Sequence, residues 1–172
     1  MLQLLGSCMI MLGTMGWGYR YIQKEEKNID VIERWEQIMQ MFISEITYKK
    51  QTLPFACIEI GKKIGREEGI YLKTVADRML NSRRESFLII WEEECMKYIK
   101  QEGLTEEIRE NIKQFGVLTG FEDEEIQKRM MEEQKEKWKS LLIRKQKENG
   151  ERKRLIGILS SCMGIMLILI LW

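Results

Sequence analysis

Histidine is absent from this chain of 172 residues. That removes the commonest general base and the commonest transition-metal ligand in one stroke. Proline occurs once, at Pro54, and no stretch of useful length alternates apolar and polar residues, so strands are not expected. No Gly-x-x-x-x-Gly-Lys phosphate loop, Gly-x-Gly-x-x-Gly turn or Gly-x-Ser-x-Gly elbow is present. No Cys-x-x-Cys pair occurs among the four cysteines, which read as free thiols acting as small hydrophobes. With 28 basic and 27 acidic residues, the net charge of +1 offers no bulk field for nucleic acid or acidic substrates.

Charge is also missing from both ends. Neither Met1–Tyr19 nor Leu155–Trp172 holds an Asp, Glu, Lys or Arg. A membrane helix needs about 20 apolar residues, within a range of roughly 17–25. In the C-terminal run ten residues are Leu or Ile, and at roughly −0.5 kcal/mol each they favour insertion by about 5 kcal/mol gross. Trp172 suits a far interface. The N-terminal run is diluted by Gln3, Ser7, Thr14 and four glycines, but Trp17, Tyr19 and Tyr21 beside Arg20 form an interface belt. A cleaved signal peptide is the rival reading; no Lys or Arg precedes the run and no Ala-x-Ala follows it. Leu5-Gly6-Ser7-Cys8 resembles a lipoprotein box with too short a stretch before it.

Arg144, Lys145, Lys147, Arg152, Lys153 and Arg154 crowd the inner flank of the second run, and Arg20, Lys24 and Lys27 follow the first. Basic flanks stay in the cytoplasm. The expected layout is a transmembrane helix over 1–19, a cytoplasmic helical domain over 20–154 and a second transmembrane helix over 155–172, with both termini outside. Small residues four apart, namely Thr14 with Gly18, Gly157 with Ser161 and Ser160 with Gly164, are candidates for close helix packing in the membrane.

The middle reads as a bundle of five or six helices, so the fold class is all-α. Val31, Ile32, Trp35, Ile38, Met39, Phe42, Ile43 and Ile46 form one stripe from Asp30 to about Lys50, with Asp30 and Glu33 at capping-box spacing. Pro54 fits the first turn of a second helix that carries Phe55, Ile58 and Ile64 and ends near Gly65. A third runs from about Ile70 to Asn81, with Tyr71, Leu72, Val75, Ala76, Met79 and Leu80 inward. A fourth covers roughly 84–101 with Phe87, Leu88, Trp91, Cys95, Tyr98 and Ile99 inward, closed by Gly103. The fifth starts at Thr105, with Glu106 and Glu107 opposing the helix dipole and Ile108, Ile112 and Phe115 inward, and stops at Gly120. The sixth, about Asp123 to Asn149, is lined by Ile126, Met130, Met131, Trp138, Leu141 and Leu142, with a break expected near Asn149-Gly150.

The carboxylate runs Glu92-Glu93-Glu94 and Glu122–Glu125 read as solvated faces or first-turn acids rather than a metal site. The 144–154 cluster reads as the topology-setting flank, where acidic lipid head groups could also gather. The methionines at 39, 41, 79, 96, 130 and 131 read as core filler.

Several stretches together resemble the stage III sporulation protein AB family of endospore-forming bacteria: Glu45-Ile46-x-Tyr48 followed by Leu53-Pro54, Trp91 in mid-domain, the Gly120-Phe121-Glu122-Asp123-Glu124-Glu125-Ile126-Gln127 turn, and Leu155-Ile156-Gly157 with Gly164 in the closing helix. The likeness spans essentially the whole length. Leu53 stands between threonine and proline, and Glu122 stands where a serine N-cap is expected, leaving Asp123 for that role. The resemblance implies a non-enzymatic role like that of the inner-membrane platform protein, the F component, of type II secretion and type IV pilus machines. It implies a channel complex between mother cell and forespore, a location in the outer forespore membrane with the central domain in the mother-cell cytoplasm, and a secretion-type ATPase and other stage III sporulation membrane proteins as partners. No cofactor, metal, catalytic residue or nucleic acid is expected, and homo-oligomerisation is left open. Gly120, Asp123, Gln127, Trp91, Tyr48 and Pro54 are the candidates for a structural joint or interaction surface. The alternative is a membrane-tethered cytoplasmic adaptor or regulator unrelated to transport.

Overall fold

The computed structural model describes the backbone of residues 2–82, 85–118 and 124–171; within these, the side chains of 2–21, 118, 124, 160–161, 163–165 and 167–171 are left aside. Among the described residues there are six α-helices and no strand: α1 (Leu2–Phe42), α2 (Leu53–Ile64), α3 (Arg66–Asn81), α4 (Phe87–Glu102), α5 (Glu106–Leu118) and α6 (Glu124–Leu171). A single π-helical turn, Ile43–Tyr48, extends α1. The chain packs as two units, one formed by 31–141 and the other by 1–30 with 142–172.

Two expected helix boundaries are not there. Asp30 does not begin a helix, because α1 runs through it from Leu2. The Gln23–Ile29 stretch contains no Gly or Pro, so no backbone N–H is left unpaired for Asp30 to cap. Asn149-Gly150 likewise fails to interrupt α6. One internal glycine costs about 1 kcal/mol, too little to stop a helix whose neighbours are strong formers. Gly120 as a C-terminal stop and Asp123 as a cap lie outside the described residues.

α3 starts at Arg66, four residues before the Ile70 expected, and several other boundaries agree with the sequence. Thr52 is the N-cap residue of α2 and Pro54 sits in its first turn. Gly65, at φ +62°, and Gly103, in the left-handed region at φ +64°, follow α2 and α4. These are conformations that a Cβ disfavours. The backbone N–H of Arg109 bonds the Thr105 carbonyl at 3.1 Å, closing the first turn of α5.

The core of the 31–141 unit is aromatic. Trp35 on α1 is its hub: it stacks on Trp138 of α6 at 5.9 Å and 15°, and meets Trp91, Tyr71 and Tyr98 at 6.3, 5.9 and 6.3 Å. Phe42 meets Phe115 at 4.6 Å. Cys57 and Cys95 are buried free thiols, both pushed up to about 12 by desolvation, which keeps them protonated and inert.

The inward face of α2 is rotated from that expected, whereas α3 buries Tyr71, Leu72, Val75 and Ala76 and α4 buries Trp91, Cys95, Tyr98 and Ile99 as expected. Phe55, Leu80 and Leu88 are exposed, and Ala56, Cys57, Ile60 and Gly61 make the buried face of α2. Backbone contact between α2 and α3 sets this rotation. A Cβ on Gly69 would lie 2.6 Å from the Gly61 carbonyl oxygen, so Gly61 and Gly69 occupy the seam of the hairpin and Phe55 turns outward. Ile126 is also exposed, and Met130 and Leu142 are half-buried, while Met131, Trp138 and Leu141 are buried as expected.

Gly116 plays the same part for α5. A Cβ there would stand 2.4 Å from Cδ1 of Trp91, and that indole is fixed by its Nε1–H donating to the Ile112 carbonyl at 2.8 Å. Gly→Ala inside a helix ordinarily stabilises. Here Gly116→Ala is expected to destabilise by about 1–3 kcal/mol, as overpacking does; urea denaturation of the purified chain reads this directly.

Candidate interaction surface

The end of α1 departs from regular helix just where a surface feature forms. The π turn leads into Lys49–Thr52, in which Lys50 sits at φ +54°, a left-handed conformation rare for a residue with a Cβ. Both π-helical turns and such backbone outliers concentrate at functional sites. Gln51 N–H bonds the Glu45 carbonyl at 3.0 Å and holds the segment against the turn.

Glu45 anchors this corner. It is buried, yet its Oε1 accepts from Lys49 and from Lys63 of α2, both at 2.8 Å. The bonds from Lys49 and then Lys63 outweigh desolvation and hold the carboxyl below its ordinary value, while Glu45 in turn raises Lys63. A folded-state pKa below the unfolded one stabilises above the unfolded value, about 4.3, and that contribution is lost as pH falls through the folded value. Glu45→Gln is therefore expected to lower stability at pH 7. The gap from the parent should close as pH drops below about 4.3. Urea midpoints at pH 7, 5 and 3 check this.

Between this corner and the start of α6 lies a groove of about 460 Å³ lined by Ile46, Thr47, Lys50, Gln51, Glu125, Gln127 and Lys128. Tyr48, 71% exposed, lies beneath the Lys128 ammonium at 5.8 Å. Tyr48 and Gln127, 79 residues apart in sequence, are thus brought to one surface. Pro54 is half-buried in the first turn of α2, just beyond the Lys49–Thr52 linker. Trp91 is placed elsewhere, in the aromatic core at 1% exposure. Gly120 and Asp123 lie outside the described residues. Thr14 and Gly18 fall on the α1 backbone; Ser160, Ser161 and Gly164 fall on that of α6. Gly157 has nothing within 4 Å of where a Cβ would stand.

The groove offers amides, a hydroxyl and charges of both signs, suited to holding a polypeptide surface rather than to bond breaking. Among the described residues no group of three or more His, Cys, Asp or Glu side chains could hold a metal ion.

Three ionic ties in the bundle were not legible beforehand. Glu68, 1% exposed, accepts on Oε1 from Arg34 Nε at 2.9 Å and from the Tyr98 hydroxyl at 3.0 Å, joining α1, α3 and α4. Arg78 reaches Glu85, Glu93 and Glu94 at 2.6, 2.8 and 2.8 Å, and these bonds raise its pKa, Glu94 contributing most. Glu94 is pushed up by burial and pulled further down by Lys97 and Arg78, ending low. The third tie is the Glu45 pair. In sequence all three look like ordinary surface charge, because nothing local says which carboxylate the packing will enclose.

Within the unit formed by the two ends, Glu25 pairs with Arg152 at 3.9 Å and Glu26 with Lys153 at 2.5 Å, so α1 and α6 lie side by side there. Among the described residues no helix is long and apolar enough to cross a membrane; the side chains of most of the two uncharged runs lie outside them.

A sequence profile described as "Stage III sporulation protein AB (spore_III_AB)" matches residues 3–172. A solved structure titled "Stage III sporulation protein AB (SpoIIIAB)" is similar at a TM-score of 0.66 and 19% identity, over 72% of this chain and 97% of that one. At that identity the likeness bears on the fold alone. No curated protein sequence matches the chain.

Proposed function

We propose, from the premise that the chain belongs to the stage III sporulation protein AB family, that it is a non-enzymatic membrane platform. It would belong to the secretion-like channel joining mother cell and forespore, working beside a secretion-type ATPase. In this reading the uncharged runs at 2–19 and 155–171 cross the outer forespore membrane, and the bundle faces the mother-cell cytoplasm.

One observation carries the reading. Both α1 and α6 supply core residues to the bundle, Trp35 and Trp138, and each continues as helix into an uncharged run. Such a layout suits a protein that organises partners beside a membrane. The enclosed ionisable groups support it, since Glu45, Glu68 and Glu94 are each taken up in ties between helices. The groove beside Tyr48 and Gln127 is then the surface for a protein partner.

Affinity purification of the tagged full-length chain from cross-linked, detergent-solubilised membranes of sporulating cells tests the reading. Recovery of a secretion-type ATPase together with small sporulation membrane proteins is expected. Recovery of the chain alone, or with soluble regulators only, would overturn it in favour of a tethered adaptor.

A further inference from the structure

The near-zero net charge hides a division that follows the two packed units. Residues 1–30 and 142–172 carry nine basic against five acidic side chains, a net +4, and residues 31–141 carry 19 against 22, a net −3. In the first unit all the charge lies at 20–30 and 144–154, beside the uncharged runs.

Part of that positive charge is consumed. Glu25 takes Arg152, Glu26 takes Lys153, and Glu148 takes Lys145 at 3.6 Å. Lys24, Lys147 and Arg154 are exposed and have no acidic partner among the described residues. Lys147 and Arg154 are seven apart on α6 and so share a face, with Gly150 and the exposed Glu151 on that face between them. Gly150 is exposed, and nothing lies within 4 Å of where its Cβ would be, which leaves open space beside the two cations. The pairing of Glu25 and Glu26 with Arg152 and Lys153 brings neighbouring Lys24 to the same level of α6. Immediately beyond Arg154, Leu155, Ile158 and Leu159 are exposed at 57, 51 and 65%.

A ligand that fits this border is anionic at one end and apolar at the other. We infer that the collar of Lys24, Lys147 and Arg154 binds anionic phospholipid, with head groups against the cations and acyl chains against Leu155, Ile158 and Leu159. This rests on the membrane-spanning reading above. Each cation near an anionic bilayer surface strengthens attraction about fivefold, from roughly 1 kcal/mol apiece.

The test is reconstitution of the full-length chain into vesicles of phosphatidylcholine with phosphatidylglycerol. Insertion is read by resistance to carbonate extraction, and lipid preference by the protein-restricted fraction of spin-labelled phosphatidylglycerol against spin-labelled phosphatidylcholine. The parent chain is expected to insert and to prefer phosphatidylglycerol several-fold. Lys24→Gln/Lys147→Gln/Arg154→Gln is expected to insert equally well, since six other basic side chains remain in that unit, and to lose most of the preference. Lys73→Gln/Lys100→Gln/Lys139→Gln, which removes as much charge from the bundle, is expected to keep it. Insertion with equal affinity for both lipids would overturn the inference and leave the membrane reading standing. Equal loss in the two triple variants would overturn it as well, assigning the preference to net charge. Failure of the parent chain to insert would overturn the membrane reading itself and the inference with it.

Discussion

Arg34→Leu is expected to cost the bundle about 3 kcal/mol, and adding Glu68→Gln to return a large part of that loss. The Glu68 side chain retains 1% of its exposure and the Arg34 side chain 19%. Removing the guanidinium strands a carboxylate away from water, with the Tyr98 hydroxyl the one donor left to Oε1 and no partner for Oε2 among the described residues. Breaking one side of a buried pair costs about 3–5 kcal/mol. The low end applies because Arg34 keeps some contact with solvent, which screens the pair. Glu68→Gln removes the charge and leaves an amide oxygen that Tyr98 can still donate to, so the double variant should be more stable than Arg34→Leu alone. Denaturation midpoints followed by far-ultraviolet circular dichroism decide it: a double variant no better than the single one would mean that the two side chains are not coupled.

The same pair marks the limit of what the sequence discloses. The apolar stripe Val31–Phe42 is legible because its three- and four-residue spacing persists over three turns, and every member proves buried. Pro54, Gly65 and Gly103 are legible because each has few conformations that it suits or that suit others. The continuity of α1 through Asp30 is not, since a capping residue acts only where a helix has an end, and that is decided by the residues before it. The rotation of α2 is hidden for a different reason. Glycine at 61 and 69 reads as a weak helix position, whereas packing uses both to bring two backbones together. Tyr48 and Gln127 could be singled out, but not that they share a surface, because only the tertiary fold brings the end of α1 to the start of α6.

Trp35→Ala is expected to have the largest effect of any single substitution in this chain. Truncating a buried tryptophan costs about 3–5 kcal/mol through lost transfer free energy and the cavity left behind. Trp35 belongs at the upper end, because it is fully buried and its ring meets four others from α3, α4 and α6. Aromatic pairs add about 0.5–1.5 kcal/mol each beyond area burial, and rings of this size cannot close in on the space of an indole without moving the helices that carry them. Domain stabilities run at about 5–15 kcal/mol, so one substitution removes a large share of the whole. Trp35→Phe keeps a ring against Trp138 and should lose clearly less. The consequence for function separates two classes of variant. If the proposed platform role holds, Trp35→Ala should abolish spore formation together with the folded bundle, with the protein depleted from the cell. Charge reversal in the groove, as in Lys128→Glu, should leave the melting curve nearly unchanged. If the groove is where a partner docks, Lys128→Glu should still lower spore formation at parental protein levels; parental sporulation with that variant would move the docking surface off the groove.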